Sequence, residues 1–205
     1  MRSEARGKAD EKKKKKNMPF PLLSANVSAG CSVSELQKGK KQQYSEIRFG
    51  GECPIFQLSK APLVSPFSAG VFQEDPNKPA TRLNLDLTLD SETESVLRQL
   101  DDFFEKKLQE IAPGKSYHRL VQQQGDYPAR VRCKANVSGP MAARFWAADE
   151  TPLGNIRQVE CANAQITACV RIPKVWVMGP SVGVSVELAC AVIHESSAPM
   201  DVFPL

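Results

Sequence analysis

The stretch RLNLDLTLDSETESVLRQLDDFFEKKLQEI, residues 82–111, changes periodicity without a spacer. Leu83, Leu85, Leu87 and Leu89 alternate with Asn84, Asp86, Thr88 and Asp90, the period of a strand with one buried face. From Ser91 onward, Val96, Leu97, Leu100, Phe103, Phe104, Leu108 and Ile111 recur at three- and four-residue steps, which makes one wide apolar helical stripe. Ser91 and Glu94 have the spacing of a capping box, and Ala112-Pro113-Gly114 stops the helix. At that spacing the rings of Phe103 and Phe104 read as core. A strand feeding directly into an amphipathic helix over about 91–111 needs a sheet on which that stripe can lie.

The rest of the body reads as short strands. YSEIRF turns Ile47 and Phe49 to one side, CPIFQL is a second candidate, and SKAPLVSPFSAG, with two prolines, reads as an edge or loop. After the helix come ARVRCKANV, NIRQVEC, QITACVRIP, KVWVM and VGVSVELACAVI, separated by SGP, PLGN and MGPS turns. In the last of these, Val182, Val184, Val186, Leu188, Cys190 and Val192 are expected inward. One helix between two groups of short strands predicts a mainly β fold, an OB-fold-like small barrel with the helix inserted between its third and fourth strands.

Of the 205 residues, 41% are hydrophobic, enough to build a core. The net charge of +4 conceals a division. Residues 1–41 carry eleven Lys/Arg against four Asp/Glu, including five consecutive lysines at 12–16; such a run repels itself and predicts a disordered tail. The lysine run fits a nuclear address, a nonspecific nucleic-acid arm or a solubilising tail. The expected organisation is a lysine-rich tail over 1–41, one domain over 42–194 and a short tail over 195–205. Within the body, residues 86–110 hold eight acids and three bases, whereas residues 113–146 hold six bases and one acid. One cationic and one anionic surface on the same domain follow, and a cationic stripe is the footprint of phosphate binding.

The six cysteines form no C-x-x-C pair, which removes support for a zinc ribbon; Cys133 and Cys190 read as small core residues. No apolar run follows the charged N-terminus and none approaches about 20 residues, so an intracellular protein without a membrane span is expected. His118 and His194 stand far apart, and no phosphate-binding glycine loop, G-x-S-x-G elbow or H-E-x-x-H motif is present. Asp101 and Asp102 diverge on adjacent helical positions and make a poor metal pair. A non-enzymatic protein without cofactor or metal is expected.

The segment RVRCKANVSGPMAARFW sharpens the reading. Arg130, Arg132 and Lys134 share one side of a strand, Val131, Cys133 and Ala135 the other, and Arg144, Phe145 and Trp146 follow. In order, PIFQLSKAPLVSPFSAG, RLNLDLTLDSETESVLRQLDDFFEKKL, YPARVRCKAN and ITACVRIPKVWVMGPSVGVSVELACAVI make the chain resemble, over about Gln43 to Ile193, the single-stranded DNA-binding proteins of nucleocytoplasmic large DNA viruses, which are related to OB-fold phage replication proteins. The resemblance implies non-enzymatic coating of single strands in replication, recombination or repair. Its implied partners are single-stranded DNA and replication proteins, and its implied location is the nucleus or a viral replication site. The chain departs from the phage relatives at its end, where only Glu195 and Asp201 accompany VFPL in place of a long acidic tail.

Single-strand binders combine a cationic groove that tracks phosphates with rings on which bases stack. On that pattern Arg130, Arg132, Lys134 and Arg144 follow the backbone, Arg171 and Lys174 extend the groove, and Tyr127 and Trp146 stack. Trp176, between Val175 and Val177, fits either the core or the groove. The alternatives are an OB-type module for RNA or duplex DNA, and a β-barrel structural or interaction protein whose cationic strand meets an acidic partner.

Overall fold

The computed structural model describes residues 20–39, 42–72, 80–153 and 161–194. The lysine run, residues 155–160 of the expected NIRQVEC strand and the VFPL end lie outside the described residues.

Before the helix lie β1 (Cys31–Val33), β2 (Gln37–Lys38), β3 (Gln43–Phe49), β4 (Phe56–Gln57), β5 (Leu63–Val64), β6 (Gly70–Phe72) and β7 (Arg82–Thr88). The helix α1 spans Ser91–Ile111, and β8 (Ser116–His118), β9 (Val121–Gln122), β10 (Arg130–Asn136), β11 (Arg144–Ala147), β12 (Gln165–Met178) and β13 (Ser181–His194) follow. They form one sheet whose main path runs β1-β3-β12-β13-β10-β7-β6. Neighbours along it are antiparallel except β10 and β13. One side of β13 is lined in succession by β8, β10 and β11, all parallel to it. The sheet curls: β5 pairs with β12, and just beyond it the Ser65 hydroxyl donates to the Asp86 carbonyl of β7 at 3.1 Å. Among the described residues the architecture is the expected mainly β, OB-fold-like one with one inserted α-helix, which follows seven strands, several of them only two or three residues long, rather than the expected three.

Alternation sets the inner face. Leu83, Leu85 and Leu87 of β7 and Val131, Cys133 and Ala135 of β10 are each at most 2% exposed, and Ile47 joins them from β3. Leu97, Leu100, Phe104 and Leu108 of α1 are buried against this layer, each contributing about 2 kcal/mol of apolar transfer. Asp101, on the same helix, is fully buried. Its carboxylate accepts from Leu120 N at 2.7 Å, Val121 N at 3.1 Å and the Tyr117 hydroxyl at 2.8 Å, clamping α1 to the β8–β9 segment.

Four expectations change. First, the helix cap is Asp90, not Ser91: Asp90 has extended backbone and accepts from Thr93 N at 2.7 Å, while Glu94 pairs with Arg98 at 2.7 Å. Both residue types cap well, and the strand ends early enough for the aspartate to take the position. Second, part of the expected 1–41 tail is structured. Leu23 is 3% exposed, its N–H bonds Gln57 O at 2.8 Å, and β1 pairs with β3. The apolar Leu22, Leu23 and Val33 outweigh the polar composition around them. Third, QITACVRIP and KVWVM are one strand, β12, running through Pro173. Neither flanking ladder has a partner at Ile172 or Pro173, so the missing N–H falls in a gap at a bulge. Fourth, β13 shifts register between Leu188 and Cys190. The bulge reverses the alternation, so Ala191 joins the core row and Val192 leaves it, while Cys190 turns to the other face yet stays buried at 6% exposure, as a small core residue would.

Candidate nucleic-acid interface

The polar face of β10 is where the sequence placed its cations. Val131, Cys133 and Ala135 claim the core, which forces Arg130, Arg132 and Lys134 onto the opposite face. Register extends that face across four more strands. On β7, Thr88, Asp86 and Asn84 stand opposite Arg130, Arg132 and Lys134, with Arg82 opposite Asn136. On β13, Glu187 stands opposite Lys134 and, on its other side, opposite Arg171 of β12. Further along β12, Lys174 faces Ser185 and Trp176 faces Gly183, and across β3 the same two residues face Glu46 and Tyr44.

The other direction along β13 carries the remaining pair. Past the bulge, Arg144 of β11 stands opposite Cys190 and Trp146 opposite Val192. From Gly183 to Val192 the strand covers about 30 Å at roughly 3.3 Å per residue. Trp176 and Trp146 therefore mark opposite ends of one face, and β10 enters it at the middle. Tyr127 stands in the β9–β10 loop, 57% exposed.

The rings differ in their support. Trp176 is half-buried on the polar side, and its indole covers Gly183: a Cβ there would lie 2.5 Å from Cζ2. The His118 ring centre is 5.5 Å from that of Trp176, with the planes at 46°. Trp176, His118 and the cross-strand neighbour Tyr44 make an aromatic end to the cationic row. Trp146 is half-buried and bridged to Pro152.

The charges are interleaved rather than uniform. Arg132 grips Asp86 with two hydrogen bonds, Nε–Oδ1 2.7 Å and Nη2–Oδ2 2.9 Å, and this pairing raises the guanidinium pKa further. Arg130 Nη1 lies 3.9 Å from the same carboxylate, beyond hydrogen-bond range. Lys174 pairs with Glu187 at 3.2 Å. Lys134 is the exposed-looking lysine of the sequence that the fold partly buries. Its Nζ meets Ser185 Oγ at 3.1 Å, and its pKa falls to about 8 through burial first, then repulsion by Arg82 and Lys174, against the pull of Glu187. Cys190 has its pKa lowered by the neighbouring Cys169 thiol, with Arg171 and Arg144 assisting.

Such a surface offers a polyanion cations that can exchange internal acid partners for phosphates, and offers flat rings at its aromatic end. The acids of α1 and its entry largely serve local ends: Asp90 caps, Asp101 clamps, and Asp102 and Glu105 pair with Arg119 at 3.1 and 2.6 Å. Among the described residues no cluster of His, Cys, Asp and Glu suits a metal ion, and no helix is long and apolar enough to cross a membrane. Sequence reasoning missed Tyr44, Arg82 and His118. The alternation of YSEIRF and RLNLDL contained the first two, since Tyr44 and Arg82 are on the polar sides; nothing near His118 signalled its place.

No family model matches the chain, and no curated protein matches it. Solved structures resemble it at low identity. The single-stranded DNA-binding protein gp2.5 encoded by bacteriophage T7 aligns at 12% identity and a TM-score of 0.47, covering 72% of this chain and 90% of its own. The single-stranded DNA-binding protein of bacteriophage Enc34, in complex with single-stranded DNA, aligns at 9% identity and a TM-score of 0.45, covering 82% of this chain and 98% of its own. A C-terminal truncation of the Enc34 protein gives 8% identity and a TM-score of 0.48 over the same shares.

Proposed function

We propose that the protein is a non-enzymatic single-stranded DNA-binding protein that coats exposed strands in replication, recombination or repair. One observation carries the reading: Arg130, Arg132, Lys134, Arg171 and Lys174 share a single sheet face that ends in the Trp176–His118–Tyr44 cluster. Phosphate tracking and base stacking are the two chemistries a single strand asks for, and a duplex offers only the first. Arg144 and Trp146 extend the track past the β13 bulge. The proposal includes membership among the single-stranded DNA-binding proteins of large DNA viruses, a domain of about residues 42–194 supported by the structured 20–39 segment, and work in the nucleus or at a viral replication site. The lysine run at 12–16 then adds salt-sensitive affinity.

The test is competition between single-stranded DNA, duplex and RNA at defined salt. Single-stranded DNA is expected to bind most tightly, with affinity falling as salt rises. Replacing Arg130, Arg132 and Lys134 by Gln flattens the salt slope by about 0.7 for each phosphate no longer neutralised. Equal affinity for single strand and duplex leaves only unspecific attraction and refutes the proposal. Preference for RNA, or quench-free docking of an acidic protein, favours the alternatives.

A further inference from the structure

Beside the end of the cationic row lies a cleft of about 510 Å³, within the roughly 300–1,000 Å³ of small-ligand sites. Phe67 and Tyr127 stand on its walls at 48% and 57% exposure, with Leu63 between apolar neighbours. Pro66 and Pro128 stiffen the backbone on both sides, so the cleft exists before anything enters it. Arg130 belongs both to its wall and to the β10 row.

We infer that this cleft receives an unstacked nucleobase from a strand whose phosphates follow β10. The inference rests on the single-stranded reading and adds a base site to it. A strand tracking Lys134, Arg132 and Arg130 arrives at the cleft. Arg130, which Asp86 does not hydrogen-bond, is the cation at the mouth, and its guanidinium lies 5.8 Å from the Phe67 ring centre. The Asp90 carboxylate on the wall repels a phosphate, so the neutral base enters and the backbone stays outside. Phe67 and Tyr127 offer ring faces for stacking, which is worth roughly 1–3 kcal/mol per base. The amides of Gln124 and Asn163, also on the wall, carry the donors and acceptors that meet a base edge.

The test uses the full chain and a single-stranded oligonucleotide carrying 5-iodouracil, irradiated and mapped by peptide mass spectrometry. An adduct at Phe67 or Tyr127 is expected. Phe67→Ala and Tyr127→Ala should each weaken binding about fivefold or more, the equivalent of about 1 kcal/mol, with the salt slope and melting temperature unchanged, and Phe67→Trp should restore it. Intact strand binding with adducts only on the β12–β13 face overturns the inference and leaves the proposed function standing. A parent that does not prefer single strands refutes both.

Discussion

Lys134 offers a test with a worked sign. Its amine is held at a pKa of about 8 against the ordinary 10.5, because burial and the charges of Arg82 and Lys174 outweigh Glu187. A phosphate at Nζ supplies the missing opposite charge and returns the bound pKa toward the ordinary lysine value. The protonated amine is the form that binds, so this contribution is present below about pH 8 and is lost as pH rises through it. From about pH 7 to about pH 9 the protonated fraction in the free protein falls about tenfold, so affinity for a single strand weakens by about tenfold, or about 1.4 kcal/mol. Calorimetry in buffers of different ionisation enthalpy should show uptake of about one proton per complex near pH 9. Cys190 lies on the same face with a lowered pKa, so Lys134→Gln is the control that isolates the lysine. A parent whose affinity is flat over this range refutes the reasoning, as does a Lys134→Gln variant that shows the same loss. Stability moves the other way. A lysine whose folded pKa is depressed opposes folding below about pH 8, and that opposition fades as pH rises toward 10.5. Lys134→Met should therefore stabilise the protein near neutral pH by on the order of 1–2 kcal/mol, discounted for the part of the amine left in solvent.

Asp86→Asn removes the acid that grips Arg132, and should tighten single-strand binding about threefold, the worth of one partly screened charge; unchanged or weaker binding in a titration at low salt counts against an internal acid competing with phosphate. Gly183→Ala drives a methyl against the Trp176 indole, which should cost about 1–3 kcal/mol or displace the ring, shift tryptophan fluorescence and weaken binding; a variant unchanged in all three removes Trp176 as the platform. Asp101→Ala strands the buried Leu120 and Val121 N–H groups, and should lower stability in urea by about 3 kcal/mol or more; a loss below about 1 kcal/mol means the clamp is dispensable.

Local periodicity determined much of this protein before any folding. The alternation of Leu83, Leu85 and Leu87, the stripe from Val96 to Ile111, and the split of β10 into Arg130, Arg132 and Lys134 against Val131, Cys133 and Ala135 follow from backbone geometry alone, because a strand repeats every two residues and a helix every 3.6. The mainly β class with one inserted helix follows from them. What sequence could not supply were the quantities set by residues far apart in the chain. Whether a cation stands free or is held by Asp86 or Glu187 depends on which strand becomes its neighbour, and β10 meets β7 and β13 across some 50 residues in each direction. The bulge that turns Val192 out of the core row, and Cys190 to a buried place on the other face, is a mismatch between two ladders, invisible in either strand alone. Trp176 reads as core or surface with equal right until Gly183, on the facing strand, leaves room for its ring. The cleft beside Arg130 is assembled from β5, the end of β7, the β9–β10 loop and the turn before β12, so it comes into being only when the sheet curls. Periodicity assigns each side chain to a face; only the tertiary fold decides which distant groups share that face, and charge, burial and shape all depend on that company.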